Sequence, residues 1–106
     1  MSAAERFLAS LRRAGRPMLL CRRIGTTSTF TDASIYGRSH GYKPNELVGL
    51  VQQGDRRIRI SQLEIAAANW PGPPKKGDIL DSGTIQGAEA LYDGEALVGF
   101  VCWVRG

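Results

Sequence analysis

Few side chains in this sequence are placed to carry out acid–base, nucleophilic or metal chemistry. The chain of 106 residues has one histidine, His40, in the segment RSHGY, where no acidic residue or cysteine adjoins it. A lone histidine is a poor general base and a poor metal ligand. Cys21 and Cys102 lie near opposite ends of the chain, without the CxxC spacing that zinc sites use. We therefore expect both thiols to be buried and inert.

The remaining polar residues also lack the setting of a catalytic motif. GRSHG, residues 37–41, has the letters of GxSxG, but it lies within a predicted strand and not at a strand-to-helix elbow, and no glycine-rich phosphate loop links a strand to a helix. Aspartates occur in turn-like segments, where this residue is favoured for conformational reasons alone; they are Asp55, Asp78, Asp81 and Asp93. The sequence thus predicts no catalytic residue, no cofactor and no metal, and a protein that is not an enzyme.

Positive charge is the chemical property that this chain has in excess. Lysine and arginine number 14 against 10 acidic residues, which gives a formal net charge of +4. The basic residues are spread over several short segments, such as CRR, DRRIR and PPKK, rather than gathered in one tail. Contacts with nucleic acid and contacts with acidic protein surfaces both fit this distribution. No apolar run approaches the roughly 18 residues of a membrane span, so we expect no membrane partner.

The chain has the length of one compact domain, 1–106, and we expect it to start with a helix. Residues 1–15 predict this helix, because Ser2 and Glu5 have the spacing of a capping box and Gly15 supplies a stop. The segment has no apolar region of the kind found in secretory signals. We expect the protein to be made and used in a cytoplasm.

Extended segments follow the helix. RPMLLCRRIG predicts a first strand, and residues 30–42 predict a second one. Within the second, Gly37 and Gly41 indicate bulges, bends or close backbone contacts. We expect the part of the segment from 25 to 46 that does not pair with another strand to form a long flexible loop. We place that loop within 25–30 or within 38–46.

The middle of the chain predicts a hairpin, a short helix and a stiff joint. Strand-like runs flank QQGD, and Ile58 and Ile60 alternate with arginines, so this strand has one buried face and one basic face. Ser61 and Glu64 have the spacing of a second capping box, and we expect a helix over about 61–69. WPGPPKKGD then forms a rigid exit from the helix and a turn into the next strand. Its lysines are turn residues in this interpretation.

The last third of the chain predicts strands again. TIQGAEALY and EALVGFVCWVRG flank Asp93-Gly94, a strong hairpin signal. From Ala96 to Val104 both even and odd positions are apolar, so the face outside the core must be covered by a helix or by another subunit. The predicted fold class is mainly β: a small antiparallel β-barrel, SH3-like or sandwich-like, over 16–106, with an N-terminal helix and one short inserted helix.

Several of these motifs occur together, in the same order, in one group of phage proteins. HGYKPNELVGLVQQGDRR, the Ile/Ala-rich short helix, WPGPPKKGD, TIQGAEAL and a closing WVRG resemble the small proteins of tailed-phage and prophage head–tail modules. Within these modules the chain resembles the head–tail connector or head-completion proteins, also called stoppers, of long-tailed phages, prophages and gene transfer agents. The resemblance covers about residues 41–106.

The resemblance implies a structural virion protein without enzymatic activity or cofactor. In that family, copies of a small β-barrel form a ring in the neck between the portal-bound adaptor and the tail, and a mobile loop of each copy reaches packaged double-stranded DNA. Arg38, His40 and Lys43, on the basic and loop-prone segment, are then candidates for DNA contact in the channel. The candidates for subunit contact are Arg57, Arg59, Trp70 and Trp103.

Two other functions stay open on this evidence. A tail-terminator subunit of the same neck fits the β-rich pattern, whereas an adaptor, mostly helical by the same resemblance, does not. A nucleic-acid-binding barrel that acts on its own fits the basic charge, but Tyr36 and Tyr42 offer little aromatic surface for base stacking. Position in the virion identifies a terminator, and salt-sensitive binding to free DNA identifies a stand-alone binder.

Overall fold

The computed structural model describes residues 2–23, 30–41, 54–68, 70 and 72–106. In chain order its elements are α1 (Ala3–Ala14), β1 (Arg16–Arg23), β2 (Phe30–Gly41), β3 (Arg56–Ser61), α2 (Gln62–Ala67), β4 (Ile79–Leu80), β5 (Gly83–Asp93) and β6 (Ala96–Arg105). The strands form a closed antiparallel barrel in the order β1–β2–β3–β6–β5–β4. The predicted fold class, a small antiparallel β-barrel with an N-terminal helix and a short inserted helix, is confirmed.

Alternate residues of the strands build the barrel core. Because successive side chains of a strand point to opposite faces, every second residue turns inward. Ile58 and Ile60 are fully buried, which confirms the predicted apolar face of β3. On β6 the even positions from Val98 to Val104 are buried in the same way. The core cluster includes Met18, Leu20, Ala33, Ile35, Ile58, Ile60, Ile65, Leu80, Ile85, Phe100, Cys102 and Val104.

Helix α1 packs on the outside of the barrel. Its predicted capping box is confirmed: Ser2 Oγ accepts from Glu5 N at 3.1 Å, and Glu5 Oε1 accepts from Ser2 N at 3.1 Å. The helix reaches β6 at Gly99, where a β-carbon would stand 2.5 Å from the ring of Phe7. The second apolar face of β6 is therefore covered in part by α1, while Trp103, further along the strand, is only half-buried.

Strand β2 covers nearly all of the second predicted strand, 30–42. Residues 38–41 pair with β3, so they belong to this strand and not to the unpaired loop that we placed in 25–30 or in 38–46. Residues 24–29, which make up most of the other predicted loop, lie outside the described residues. Residues 42–53, which include the first predicted strand of the QQGD hairpin, lie outside them too. The backbone at Gly37 is closely approached, since a β-carbon there would meet the side-chain sulfur of Met18 at 2.6 Å, whereas no described residue comes within 4 Å of that position at Gly41.

Helix α2 begins at its predicted N-cap, and a glutamate of its first turn attaches it to β2. Ser61 is the N-cap as predicted, and its Oγ accepts from Leu63 N at 3.1 Å. Glu64 does not complete a capping box; its Oε1 instead accepts from Tyr36 N of β2 at 2.8 Å. The helix ends at Ala67, two residues before the predicted end.

The proline-rich joint after α2 is held against β1 by one arginine. Arg22 Nε and Nη2 donate to the two carboxylate oxygens of Asp78 at 2.9 and 2.7 Å. Its Nη2 also donates to Pro73 O at 2.8 Å, and its guanidinium carbon lies 5.1 Å from the ring centroid of Trp70. The two lysines of the joint are exposed at the turn before β4. The joint is thus a structural connection between α2, β1 and the turn before β4.

Candidate functional site

Predicted site residues from three neighbouring strands lie together on the outside of the barrel. Arg38 of β2 is opposite Arg59 of β3, and His40 is opposite Arg57. Arg57 is in turn opposite Trp103 of β6. Residues directly opposite each other share one side of a sheet, and the isoleucines that alternate with these arginines are fully buried, so this side faces outward. We call Arg38, His40, Arg57 and Arg59 the basic face.

The residues predicted for DNA contact and those predicted for subunit contact therefore do not form two separate sites. Arg38 and His40 belong to a paired strand rather than to a mobile loop, and they adjoin the arginines of β3. Lys43 lies outside the described residues. Trp70 is 6% exposed and belongs to the core cluster, with the Arg22 guanidinium over its ring, so it lies apart from the basic face.

The pKa of His40 reflects the positive potential of the basic face. Burial lowers this pKa from the ordinary value of 6.5, and the charges of Arg38, Arg59 and Arg57 lower it further. His40 is therefore neutral at pH 7, and the positive charge of the face comes from its arginines. An anion bound here would favour the imidazolium form and raise the pKa.

A groove of about 500 Å³ runs beside the basic face, across β3, β6 and β5. Arg57 and Arg59 line it from β3, Val101 and Trp103 line it from β6, and Glu89 lines it from β5. We call it the outer groove. It combines apolar surface with more positive than negative charge, so it suits a ligand that carries an apolar group next to an anionic one. The sequence patterns did not indicate that β5 contributes to this site.

A buried carboxylate orients Trp103 in the outer groove. Asp55 is 3% exposed, and its Oδ2 accepts from Trp103 Nε1 at 2.7 Å. Arg105 Nε and Nη2 donate to the same carboxylate at 3.1 and 3.2 Å, and the Arg105 guanidinium carbon lies 5.5 Å from the Trp103 ring centroid. Sequence reasoning treated Asp55 as a turn residue and missed this role. The adjacent Gly54, with φ of 94°, does confirm a turn.

A second groove, of about 590 Å³, lies between α2, the proline-rich joint and the β5–β6 hairpin. Trp70, Pro74, Ala88, Tyr92 and Leu97 are among the residues that line it, and the described lining carries no charged side chain. The Trp70 Nε1 group is buried and donates to no acceptor among the described residues. This groove adds apolar surface but no charge, and it is separate from the basic face.

The thiols of the chain are poor nucleophiles. Burial, helped by Asp32, raises the pKa of the half-buried Cys21 to about 11, and burial raises that of Cys102 to about 12. Both are therefore protonated at neutral pH. Cys102 is fully buried as predicted, whereas Cys21 is only partly so. In the part of the chain that the structure describes, no group of three or more His, Cys, Asp or Glu is placed to hold a metal ion.

Comparisons with protein-family models, with curated proteins and with solved structures find no match to this chain. Among the described residues, no helix has both the length and the apolar character needed to cross a membrane. The interpretation of the site therefore depends on its own geometry, which is that of a basic outer face on paired strands beside a partly apolar groove.

Proposed function

We propose that the chain is a structural virion protein of the head-to-tail connector class, a stopper or head-completion subunit. In this proposal its copies form a ring in the neck of the virion, join the portal–adaptor complex to the tail terminator, and help to retain packaged double-stranded DNA. The virion is assembled in the host cytoplasm. The observation that carries the proposal is the basic face, because it places Arg38 and His40, predicted for DNA contact, next to Arg57 and Arg59, predicted for subunit contact.

The placement of the arginines supports contact with an extended anionic surface. Neighbouring strands of a sheet lie about 4.8 Å apart, so Arg38 and Arg59 present their side chains next to each other. A guanidinium group can bind a phosphate or a carboxylate through two parallel hydrogen bonds. Such contacts position nucleic acid without reading its sequence. A DNA channel requires this kind of binding, and so does an acidic patch on a neighbouring ring.

The proposal is tested by adding the purified protein to tail-less, DNA-filled heads of the phage that encodes it. We expect the wild-type protein to bind the heads, to reduce DNA leakage and to allow tails to join. Replacing Arg38 and Arg59 with glutamine should lower this activity several-fold, because two charges leave the basic face. Lys75→Gln with Lys76→Gln removes the same amount of charge from the exposed turn and should leave the head-completion activity unchanged. Failure of the wild-type protein to add to the heads would overturn the proposal.

A nucleic-acid-binding barrel that acts on its own is the second candidate, and the basic face favours it as well. Two of its aromatic rings, however, already have cationic neighbours: Arg12 lies 6.0 Å from the Tyr36 ring centroid, and Arg105 lies beside Trp103. This leaves less free ring surface for stacked bases. The stand-alone binder requires strong binding of the monomer to free DNA, with an affinity that falls steeply with salt. If the isolated monomer shows no binding when titrated with DNA, the stand-alone binder is rejected and the connector proposal stands.

A tail terminator is the remaining alternative within the same neck. The barrel and its basic face fit both positions, since either ring surrounds the DNA path. A terminator contacts the tail tube, whereas a connector contacts the adaptor ring. Purified adaptor–portal complexes and purified tails therefore provide two separate binding partners, and preferential binding to tails would favour the terminator.

A further inference from the structure

The tip of the β5–β6 hairpin is an exposed, acidic projection with an aromatic residue at its base. The pairing of β6 with β3 stops at Gly99, but its pairing with β5 continues to Ala96 and Asp93, so the hairpin extends past β3. Tyr92 is 62% exposed, and Glu95 is exposed in the turn that follows. We call Tyr92, Asp93 and Glu95 the acidic tip.

An exposed ion pair links the acidic tip to α1. Arg6 Nη2 lies 3.8 Å from an oxygen of Asp93, and both side chains are more than 60% exposed. An exposed ion pair of this length contributes little to stability. The tip therefore presents an aromatic ring and two carboxylates to a partner that offers apolar surface and positive charge.

The outer groove has these properties. Val101 and Trp103 supply apolar surface, Arg57 and Arg59 supply positive charge, and Arg38 adds charge at the side. Glu89 is the acidic residue of the described lining, so the arginines outnumber it. The groove is also rigid at Trp103, because a buried carboxylate binds the indole nitrogen. Tip and groove are thus complementary in charge and in apolar character.

The tip of one chain cannot occupy the groove of the same chain. Trp103 lies seven residues beyond Ala96 along β6, which corresponds to roughly 23 Å at about 3.3 Å per residue. Both surfaces belong to a single paired ribbon, which cannot fold back on itself without breaking its ladder. An occupant of the outer groove would therefore come from another molecule, and a second copy of this chain carries a matching tip.

We propose that the acidic tip of one copy docks in the outer groove of the next copy. Tyr92 packs against Val101 and Trp103, and the carboxylates of the tip pair with the arginines of β3. Contacts between different surfaces of identical subunits are head-to-tail, and they close into a ring when the rotation between copies permits. The inference rests on the proposed ring function, for which it names the subunit interface.

Cysteine crosslinking tests this contact directly. Glu95→Cys protein is mixed with Arg59→Cys protein at high concentration and low salt, and a short bismaleimide is added at neutral pH. The native thiols react slowly, because burial raises the pKa of Cys21 to about 11 and that of Cys102 to about 12. We expect a mixed dimer from these two variants, and a ladder of covalent oligomers from the double variant.

The control for crosslinking is Glu95→Cys mixed with Lys76→Cys, a position on the exposed turn away from the groove. Equal yields with this control would overturn the inference, and so would predominant crosslinking of Glu95→Cys to itself, since a tip-to-tip contact is not head-to-tail. Charge reversal gives a second test by sedimentation. Asp93→Lys with Glu95→Lys should abolish association, Arg59→Glu should weaken it at least several-fold, and mixing the two variants should restore it in part.

The outcomes for the interface and for the connector function can be told apart. If wild-type protein completes heads but Glu95→Cys crosslinks equally to Arg59→Cys and to Lys76→Cys, the tip–groove contact is overturned and the connector proposal stands. Protein that gives the specific crosslink but does not add to DNA-filled heads would overturn the connector and leave the contact standing.

Discussion

Asp55 and His40 illustrate how single residues depend on partners that are distant in the chain. The carboxylate of Asp55 accepts hydrogen bonds from Trp103 and Arg105, which lie 48 and 50 positions away. No local pattern links these residues, so the sequence predicts a turn residue and nothing more. The neighbours of His40, likewise, come from the register between β2 and β3. That register is set by long-range pairing, which composition and spacing do not encode.

Titration of His40 is the prediction for the basic face. We expect its pKa, measured by NMR, to lie below the ordinary 6.5, because burial and the neighbouring arginine charges disfavour the imidazolium. Arg59→Gln should raise the pKa by removing a like charge, and short double-stranded DNA bound to wild-type protein should raise it too. Lys76→Gln is the control that should leave it unchanged. A wild-type pKa at or above 6.5 would contradict the proposed electrostatics.

Replacement of Asp55 by asparagine tests the anchoring of Trp103. The amide offers one acceptor oxygen in place of two and removes the negative charge that pairs with Arg105. We expect the free energy of unfolding in urea to fall by about 2 kcal/mol, with a change in tryptophan fluorescence of the folded state. Asp32→Asn, on the exposed side of β2, is the matched control and should lower the free energy of unfolding much less. Equal losses in the two variants would argue against the anchor.

At the scale of elements, local signals predicted most strands and turns, but not their partners. Alternation in RRIRI predicted β3, and Asp93-Gly94 predicted the final hairpin, whose Gly94 has a φ of 63°. The pairing of β3 with β6 could not be predicted, because the two strands are far apart in the chain. Glu64 was assigned to a capping box by spacing, yet its carboxylate binds a backbone N–H of β2.

Gly99→Ala tests the close approach of β3 and of the N-terminal helix to β6 at Gly99. A β-carbon at this position would lie 2.2 Å from Ile60 O and 2.5 Å from the Phe7 ring. The backbone oxygen cannot rotate away, so we expect a loss of about 2 kcal/mol in the free energy of unfolding. Gly41→Ala is the control, since none of the described residues lies within 4 Å of its β-carbon position. Similar stabilities in thermal unfolding would mean that Ile60 and Phe7 do not approach Gly99 this closely.

At the scale of the whole molecule, the barrel is closed by its shortest strand and by a charged cluster. β4 has two residues between β1 and β5. The turn after it carries Asp81, which accepts from Arg16 Nη1 at 2.9 Å and from Arg56 Nη1 at 2.8 Å. The cluster thereby connects β1, β3 and the β4–β5 turn. A two-residue strand is too short for pattern reasoning to predict that it completes a barrel.

The pH dependence of stability tests this closure. The hydrogen bond from Arg16, together with Arg56, holds the pKa of Asp81 below its ordinary 3.8. A carboxyl group whose pKa is lower in the folded state stabilises that state above the unfolded pKa, and this contribution disappears as pH falls through the folded pKa. Asp81→Asn should therefore reduce stability by about 1 kcal/mol at pH 7, and by progressively less below about pH 4.

Asparagine is the suitable replacement at this position, because it tolerates the positive φ of 52° that Asp81 adopts. Urea unfolding at pH 7 and at successively lower pH values gives the comparison. A difference between the two proteins that stays constant down to pH 2 would show that the charge of Asp81 does not contribute to closure.

The central claim is that this barrel is a ring subunit in the neck of a tailed virion, and cryo-EM of that neck tests it most directly. We predict a ring of copies between the adaptor and the tail, with hairpin tips in the outer grooves of neighbouring copies and arginines of the basic face at subunit or DNA contacts. A neck map at side-chain resolution in which every protein density is accounted for by other chains would contradict the claim.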